Sequence, residues 1–90
     1  MLLKDKISIV TGGGSGIGAA SSKRFADEGA AVVVADIRKR KAEEVASFIN
    51  ENGGHAIAIE VDVSDSDSVS SLIRTCVQEY GGLDIMYNNA

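Results

Sequence analysis

Proline is absent from these 90 residues, and only one cysteine and one histidine are present. A single cysteine, Cys76, excludes an internal disulfide and indicates a reducing compartment such as the cytoplasm. His55 has no acid or cysteine at ligand or triad spacing, so no metal site is predicted. The formal net charge of −4 predicts no strongly basic face for nucleic acid. No apolar run approaches the roughly 18 residues of a membrane span, and the first residues lack a signal peptide's apolar core, so no membrane partner is expected.

The most informative stretch runs from Ile7 to Gly18, where an apolar run ends in a glycine-rich turn that opens a helical segment. Glycine tolerates positive φ and lets a ligand approach the main chain closely, because it has no Cβ. The first N–H groups of a helix that begins near Ser15 to Ile17 have no internal partner, so they can bind a pyrophosphate. We expect a side chain at Gly16 or Gly18 to intrude between helix, strand and ligand.

Two glycine registers fit a dinucleotide-binding turn. The general pattern G-x-G-x-x-G/A fits as Gly14, Gly16 and Ala19, and the longer pattern Thr11-Gly12-x-x-x-Gly16-x-Gly18 fits as well. A nucleoside triphosphate loop fits poorly, because Ala19-Ala20 stands where Lys-Ser/Thr is required. A plain glycine turn between a strand and a helix is the alternative that involves no ligand.

Apolar periodicity predicts strands over 6–11, 30–35, 55–61 and 83–88, and helices over 15–28, 39–52 and 65–80. The first helix is expected to bury the face that contains Ile17, Ala20, Ser21, Arg24 and Phe25. Alternating strands and helices predict a parallel α/β sheet, and right-handed crossovers give the strand order 3-2-1-4. This is the N-terminal half of a Rossmann-type doubly wound sheet, in which a ligand binds where the order reverses. We therefore interpret residues 1–90 as the N-terminal part of one nucleotide-binding domain.

The longer glycine pattern resembles that of the classical short-chain dehydrogenase/reductase family. Four further places support the resemblance: Asp36, Asp62-Val63, Leu83-Asp84-Ile85, and Asn88-Asn89-Ala90, which is similar to the start of the family's Asn-Asn-Ala-Gly. The resemblance covers the whole chain. It implies an NAD(P)-dependent oxidoreductase that interconverts a small-molecule alcohol and a carbonyl by hydride transfer, and a homo-oligomer in the intact protein.

The resemblance also implies which residues bind the cofactor. Asp36 would accept hydrogen bonds from the adenosine ribose, although it could instead cap a helix. Asp62 and Val63 would border the adenine, or Asp62 could simply end a strand before a turn. Asn89 would line the cofactor cleft, or it could satisfy loop backbone. The complete predicted set is Gly12, Ser15, Gly16, Ile17, Gly18, Asp36, Asp62, Val63, Asn89 and Ala90.

Asp36 predicts a preference for NAD over NADP. A 2′-phosphate beside this carboxylate would cost roughly 4 kcal/mol per unit charge at about 4 Å in a medium of intermediate dielectric. By resemblance, Ser15 and Ile37 hold positions where NADP users more often carry a basic residue. The run from Arg38 to Lys41 opposes this preference, because it could grip a 2′-phosphate. We interpret that run as a solvated charged turn.

By resemblance, the family's chemistry uses a serine, a tyrosine and a lysine four residues after the tyrosine. No Tyr-x-x-x-Lys occurs here, because Tyr80 is followed four residues later by Asp84 and Tyr87 has no residue at that distance. No catalytic residue is therefore assigned, and the three are expected beyond Ala90. Two alternatives stay open: a non-catalytic dinucleotide sensor and a free-standing nucleotide-binding module.

Overall fold

A computed structural model describes residues 2–89, and the described part contains four strands that alternate with three helices. All strand pairs are parallel, and the strands, counted along the chain, lie in the order 3-2-1-4. This confirms the predicted doubly wound α/β topology. The elements are β1 (Ile7–Thr11), α1 (Gly16–Asp27), β2 (Ala31–Asp36), α2 (Lys39–Glu51), β3 (His55–Glu60), α3 (Ser66–Tyr80) and β4 (Ile85–Asn88).

The predicted bounds differ from the observed ones by one or two residues at the element ends. β2 runs one residue later than predicted and so includes Asp36, which pairs with Glu60 of β3. β4 begins at Ile85 because its ladder with β1 begins at the pair Ser8 and Ile85. The residues assigned to helix ends that instead lie at cap positions are Ser15, Glu28 and Asn52. For α3, Ser64 or Asp65 is a candidate cap in the sequence, and Asp65 is the N-cap residue.

Two apolar layers cover the two faces of the sheet. Val32, Val33 and Val34 of β2 are fully buried, so this strand is covered on both faces. One layer joins Val32 and Val34 to α2, whose buried residues are Ala42, Val45, Ala46 and Ile49. The other joins Val33 to Leu72 and Cys76 of α3. Full burial of such apolar side chains stabilises the fold by about 1.5–3 kcal/mol each.

The buried face of α1 differs from the predicted one. Ile17 is 70% exposed, and Ala20 and Arg24 are exposed as well. The fully buried residues of the helix are Gly18 and Ser22. The prediction holds for Phe25, which packs against the core, but it was wrong for Ile17, Ala20 and Arg24. The start of the helix lies directly on the backbone of the glycine turn, where only very small residues fit. Ile17 is consequently directed away from the sheet.

The two edges of the sheet differ. At the β3 edge, the side chain of Asn50 donates a hydrogen bond to the Ala56 carbonyl at 3.0 Å and accepts one from the Ala56 N–H at 2.9 Å. Asn50 therefore takes the place of a neighbouring strand at that point. Within residues 2–89, no strand pairs with the outer side of β4. The three helices of this part of the chain are too short or too polar to cross a membrane.

Candidate nucleotide-binding site

The glycine turn lies at the carboxyl end of β1. Gly12 and Gly16 have φ values of +63° and +56°, in the left-handed region that favours glycine. The N–H of Gly13 donates to the carbonyl of Ala35 at 2.9 Å, which holds the turn against β2. The turn is thus fixed to the neighbouring strand before α1 begins.

Gly16 and Gly18 are required for different reasons. A Cβ at Gly18 would overlap the carbonyl oxygen of Gly12 and would lie 2.8 Å from Nδ2 of Asn89. The expected intrusion between helix and strand is therefore confirmed at Gly18. A Cβ at Gly16 would meet no protein atom within 4 Å beyond its own neighbours in the chain and helix, so a side chain there would extend into the space proposed for the ligand rather than against the strand. Gly16 is required by its positive φ, and the space outside it is open to a ligand.

The N-terminus of α1 retains its hydrogen-bond donors. The N-cap residue Ser15 makes no side-chain capping bond, whereas Asp65 caps α3 by accepting from the N–H of Asp67. The Ser15 hydroxyl instead accepts a hydrogen bond from Nη2 of Arg38 at 2.7 Å. Uncapped N–H groups at the positive end of a helix dipole favour an anionic ligand.

Asp36 joins the end of β2 to the glycine turn. Its carboxylate is nearly buried, and its Oδ2 accepts from the N–H of Gly14 at 3.0 Å. Its Oδ1 accepts from the N–H of Arg38 at 2.9 Å in a tight turn before α2, but the N-cap residue of that helix is Arg38 and has no side-chain capping bond, so Asp36 does not cap the helix. Because each carboxylate oxygen has two acceptor sites, both oxygens can still accept hydrogen bonds from a ligand.

The basic run is exposed from Arg38 to Lys41, as a solvated turn requires. Arg38 also makes contacts that the sequence did not predict: its Nε lies 3.8 Å from Oδ1 of Asp36, and its Nη2 donates to the Ser15 hydroxyl. Its position as the N-cap residue of α2, just after β2, brings its side chain to the glycine turn. No local pattern signals this contact.

A pocket of about 190 Å³ opens beside Asp36. Two exposed apolar side chains, Ile37 and Val63, line it together with Val61 and Asp62. The Asp62 carboxylate accepts hydrogen bonds from the Ser64 hydroxyl at 2.6 Å and from the Ser64 N–H at 3.0 Å, and these bonds lower the pKa of its carboxyl group. Apolar walls beside carboxylates suit a flat ring with amino groups. Ile37 was not predicted to line this pocket, although an isoleucine directly after Asp36 was a usable signal.

Thr11 ties β1 to the end of β4. Its buried hydroxyl donates to Oδ1 of Asn88 at 2.8 Å and accepts from the N–H of Asn89 at 3.1 Å. Asn88 is thus tied to the end of β1, and Nδ2 of Asn89 lies close to Gly18. Thr11 was not predicted as a site residue, and its signal is a hydroxyl at the end of an apolar strand. Ala90 lies outside the described residues.

In the described part of the chain, the other potentially reactive side chains do not form a second candidate site. Within residues 2–89, no group of three or more His, Cys, Asp or Glu side chains could hold a metal ion. Cys76 is buried, and burial raises the pKa of its thiol. His55 is exposed at the start of β3. A pocket of about 200 Å³ between α1 and α2, lined in part by Lys23 and Phe48, lies near the amino end of β3 and away from the turn.

Known proteins are similar to this chain in sequence and fold. A solved structure, a hydroxysteroid dehydrogenase from Escherichia coli, superposes with a TM-score of 0.96 at 39% identity, covering 98% of this chain and 37% of that one. A 2,5-dichloro-2,5-cyclohexadiene-1,4-diol dehydrogenase of Sphingobium indicum is 43% identical over 98% of this chain and 35% of its own length. A tropinone reductase-like protein of Erythroxylum coca is 47% identical over 98% of this chain and 31% of its own length.

The chain thus spans about a third of the length of the curated relatives that it matches. The model of the short chain dehydrogenase family matches residues 6–90, nearly all of the sequence. Fold, glycine turn and family match agree, and the chain belongs to the short-chain dehydrogenase family of oxidoreductases.

Proposed function

We propose that this chain is the cofactor-binding part of an NAD-dependent oxidoreductase that interconverts an alcohol and a carbonyl. The observation that carries the proposal is the hydrogen bond between the Asp36 carboxylate and the glycine turn. A buried carboxylate holds Gly14 beside the uncapped N-terminus of α1 and also faces the pocket. Acceptors for ribose hydroxyls and donors for phosphates therefore lie next to each other.

Each part of the site suits one part of a dinucleotide. The first N–H groups of α1, at Gly16, Ile17 and Gly18, would hold the pyrophosphate, with Gly12 and Ser15 shaping the turn. Asp36 would accept from the adenosine ribose, and Asp62 and Val63 would border the adenine. By resemblance, Asn89 and Ala90 would line the nicotinamide half of the cleft. When bound, the cofactor supplies the hydride donor or acceptor, and these residues bind and orient it.

The Asp36 carboxylate supports a preference for NAD over NADP. The 2′-phosphate of NADP would place its negative charge beside the nearly buried Asp36 carboxylate, where charge interactions are stronger than in water. Ser15 and Ile37 themselves are not basic, and the cation nearest Asp36, Arg38, is 59% exposed to solvent.

We further propose the properties of the intact protein. Its substrate is a small alcohol or ketone, in keeping with the relatives' names. Its catalytic serine, tyrosine and lysine lie beyond residue 90, and it forms a homo-oligomer, both by family resemblance. A cytoplasmic location is supported by the single cysteine.

Titration calorimetry on the full-length protein tests the proposed function. We expect NAD to bind at least about tenfold more tightly than NADP, a difference of about 1.4 kcal/mol. Equal or tighter binding of NADP would overturn the cofactor preference. A folded protein that binds neither dinucleotide would overturn the proposed function, and binding of NAD without turnover of any alcohol or ketone would favour the sensor.

A further inference from the structure

The pocket between α1 and α2 lies outside the proposed nucleotide site and has a volume of about 200 Å³. Two glycines that follow α2 shape it. A Cβ at Gly54 would lie 2.7 Å from Cγ2 of Ile49 and 3.4 Å from Cβ of Ala26, so the missing side chain lets the end of α2 approach α1 closely. A Cβ at Gly53 would meet no protein atom within 4 Å beyond its own neighbours in the chain, so the space beside it is open. The two helices therefore leave a cleft with an apolar floor.

One wall of this pocket combines an aromatic ring with a cation. The Nζ atom of Lys23 lies 4.4 Å from the centroid of the Phe48 ring, within the range of a cation–π interaction. Phe48 is 48% exposed, and Lys23 is half-buried. Lys23 takes part in neither of the ion pairs found within residues 2–89. Its ammonium group is thus held over the ring without a carboxylate partner in the described part of the chain.

The charges around the pocket decide which class of ligand it favours. Asp27 also lines the pocket, but it is exposed, so water and salt screen its charge more than that of half-buried Lys23. Both helices end at the pocket, and helix C-termini disfavour anions. At both ends, carbonyl groups accept hydrogen bonds from backbone N–H groups that follow the helix, for example Ile49 from Gly54 at 2.9 Å, which weakens this effect. The least screened charge is that of Lys23, and the pocket therefore favours an anion.

We propose that this pocket binds a small aromatic carboxylate. The carboxylate would accept hydrogen bonds from the Lys23 ammonium and from Asn52, whose amide donates one N–H to the Phe48 carbonyl at 2.8 Å and keeps the second. The ring would lie against Phe48 and the apolar floor. A volume of about 200 Å³ is smaller than that of a drug-sized site and suits a single ring. This site is independent of the proposed function, because none of its residues is assigned to the nucleotide.

Fluorine NMR of 4-fluorobenzoate with the full-length protein, with and without NAD, tests the proposal. We expect millimolar binding that is unchanged by NAD and that unlabelled benzoate displaces. Benzyl alcohol and benzylamine, which lack the carboxylate, should displace the probe at least about fivefold less well than benzoate. Lys23→Gln should weaken binding of the probe about fivefold, which corresponds to about 1 kcal/mol, the Coulomb energy of two unit charges about 4 Å apart in water. Asp27→Asn should strengthen it, because the repelling charge is removed.

Arg74→Gln is the matched control for the loss of one positive charge. Arg74 is exposed on α3, which packs on the other face of the sheet, so this variant should change the affinity for the probe by less than about twofold. Circular dichroism melting confirms that each variant is folded. If Lys23→Gln does not fold, Phe48→Leu replaces it and should also weaken binding, because the aromatic wall is lost.

Four results would overturn the proposal. The first is a wild-type protein that does not bind the probe. The second is a folded Lys23→Gln protein that binds the probe as tightly as wild type, or an equal loss of affinity in Arg74→Gln. The third is tighter binding of benzylamine than of benzoate, because the Asp27 charge would then dominate the pocket. The fourth is loss of the probe when NAD is added, because the probe would then occupy the nucleotide site.

Discussion

The backbone N–H of Gly14 donates a hydrogen bond to Oδ2 of Asp36, 22 residues later in the chain, at 3.0 Å. A Cβ at Gly14 would lie 2.9 Å from the same oxygen, so the contact needs glycine at this position. The acid that is proposed to bind ribose therefore also holds the turn that is proposed to bind phosphate. A change at Asp36 is expected to alter both the cofactor preference and the geometry of the turn.

Replacement of Asp36 should separate these two roles. Asp36→Ala leaves the buried N–H of Gly14 without a partner, which costs about 1–3 kcal/mol of stability. The same variant should bind NAD more weakly and show a smaller preference for NAD over NADP. Asp36→Asn keeps an acceptor oxygen but removes the charge. Asp36→Asn should therefore also reduce the preference for NAD over NADP, but with a smaller loss of stability than Asp36→Ala. Urea unfolding and calorimetry measure the two effects, and equal stability losses in both variants would contradict the structural role.

Gly18→Val should abolish dinucleotide binding. Its side chain would overlap the Gly12 carbonyl, so the turn must move away from α1. Ala20→Val is the control, because Ala20 is exposed on the same helix and its replacement also adds a β-branched residue. The control should bind NAD like the wild-type protein. If a folded Gly18→Val protein bound NAD normally, the glycine assignment would be wrong.

Thr11→Val should loosen the junction of β1 and β4. Valine has nearly the shape of threonine but makes neither hydrogen bond, so the partner groups of Asn88 and Asn89 are left unpaired. Because Asn88 is exposed and Asn89 half-buried, their freed groups can reach water, and we expect a loss of about 0.5–1.5 kcal/mol in the free energy of unfolding for each lost hydrogen bond. Thr75→Val in α3 is the same chemical change away from the site and should cost less. Equal losses in urea unfolding would show that the junction has no special role.

Residues 1–90 alone should be partly unfolded or self-associated, bind NAD weakly, and turn over no alcohol or ketone. Asn50 covers part of the β3 edge, whereas the outer side of β4 has no strand partner within residues 2–89. Exposed strand edges recruit other chains, and Met86 of β4 is 41% exposed. Sedimentation velocity and amide hydrogen exchange test this expectation, and Met86→Lys should reduce self-association. A monodisperse monomer with strong protection in all four strands would contradict it and favour a free-standing module.

The sequence by itself determined the order and topology of the elements. The run Val32 to Val34 marks a strand buried on both faces, and the stripe that includes Leu72 and Cys76 marks the face of α3 that packs on the sheet. The strand order 3-2-1-4 follows from parallel pairing and right-handed crossovers. These features depend on local periodicity and chain connectivity, which one sequence contains in full.

Only the tertiary structure decided how the site is assembled. The rotation of α1, which buries Gly18 and exposes Ile17, depends on how closely the helix approaches the backbone of Gly12. The contact between Ser15 and Arg38 joins residues 23 apart, and that between Thr11 and Asn88 joins residues 77 apart. Neither contact can be predicted from apolar periodicity, because each arises at the carboxyl end of the sheet, where separate strands end side by side.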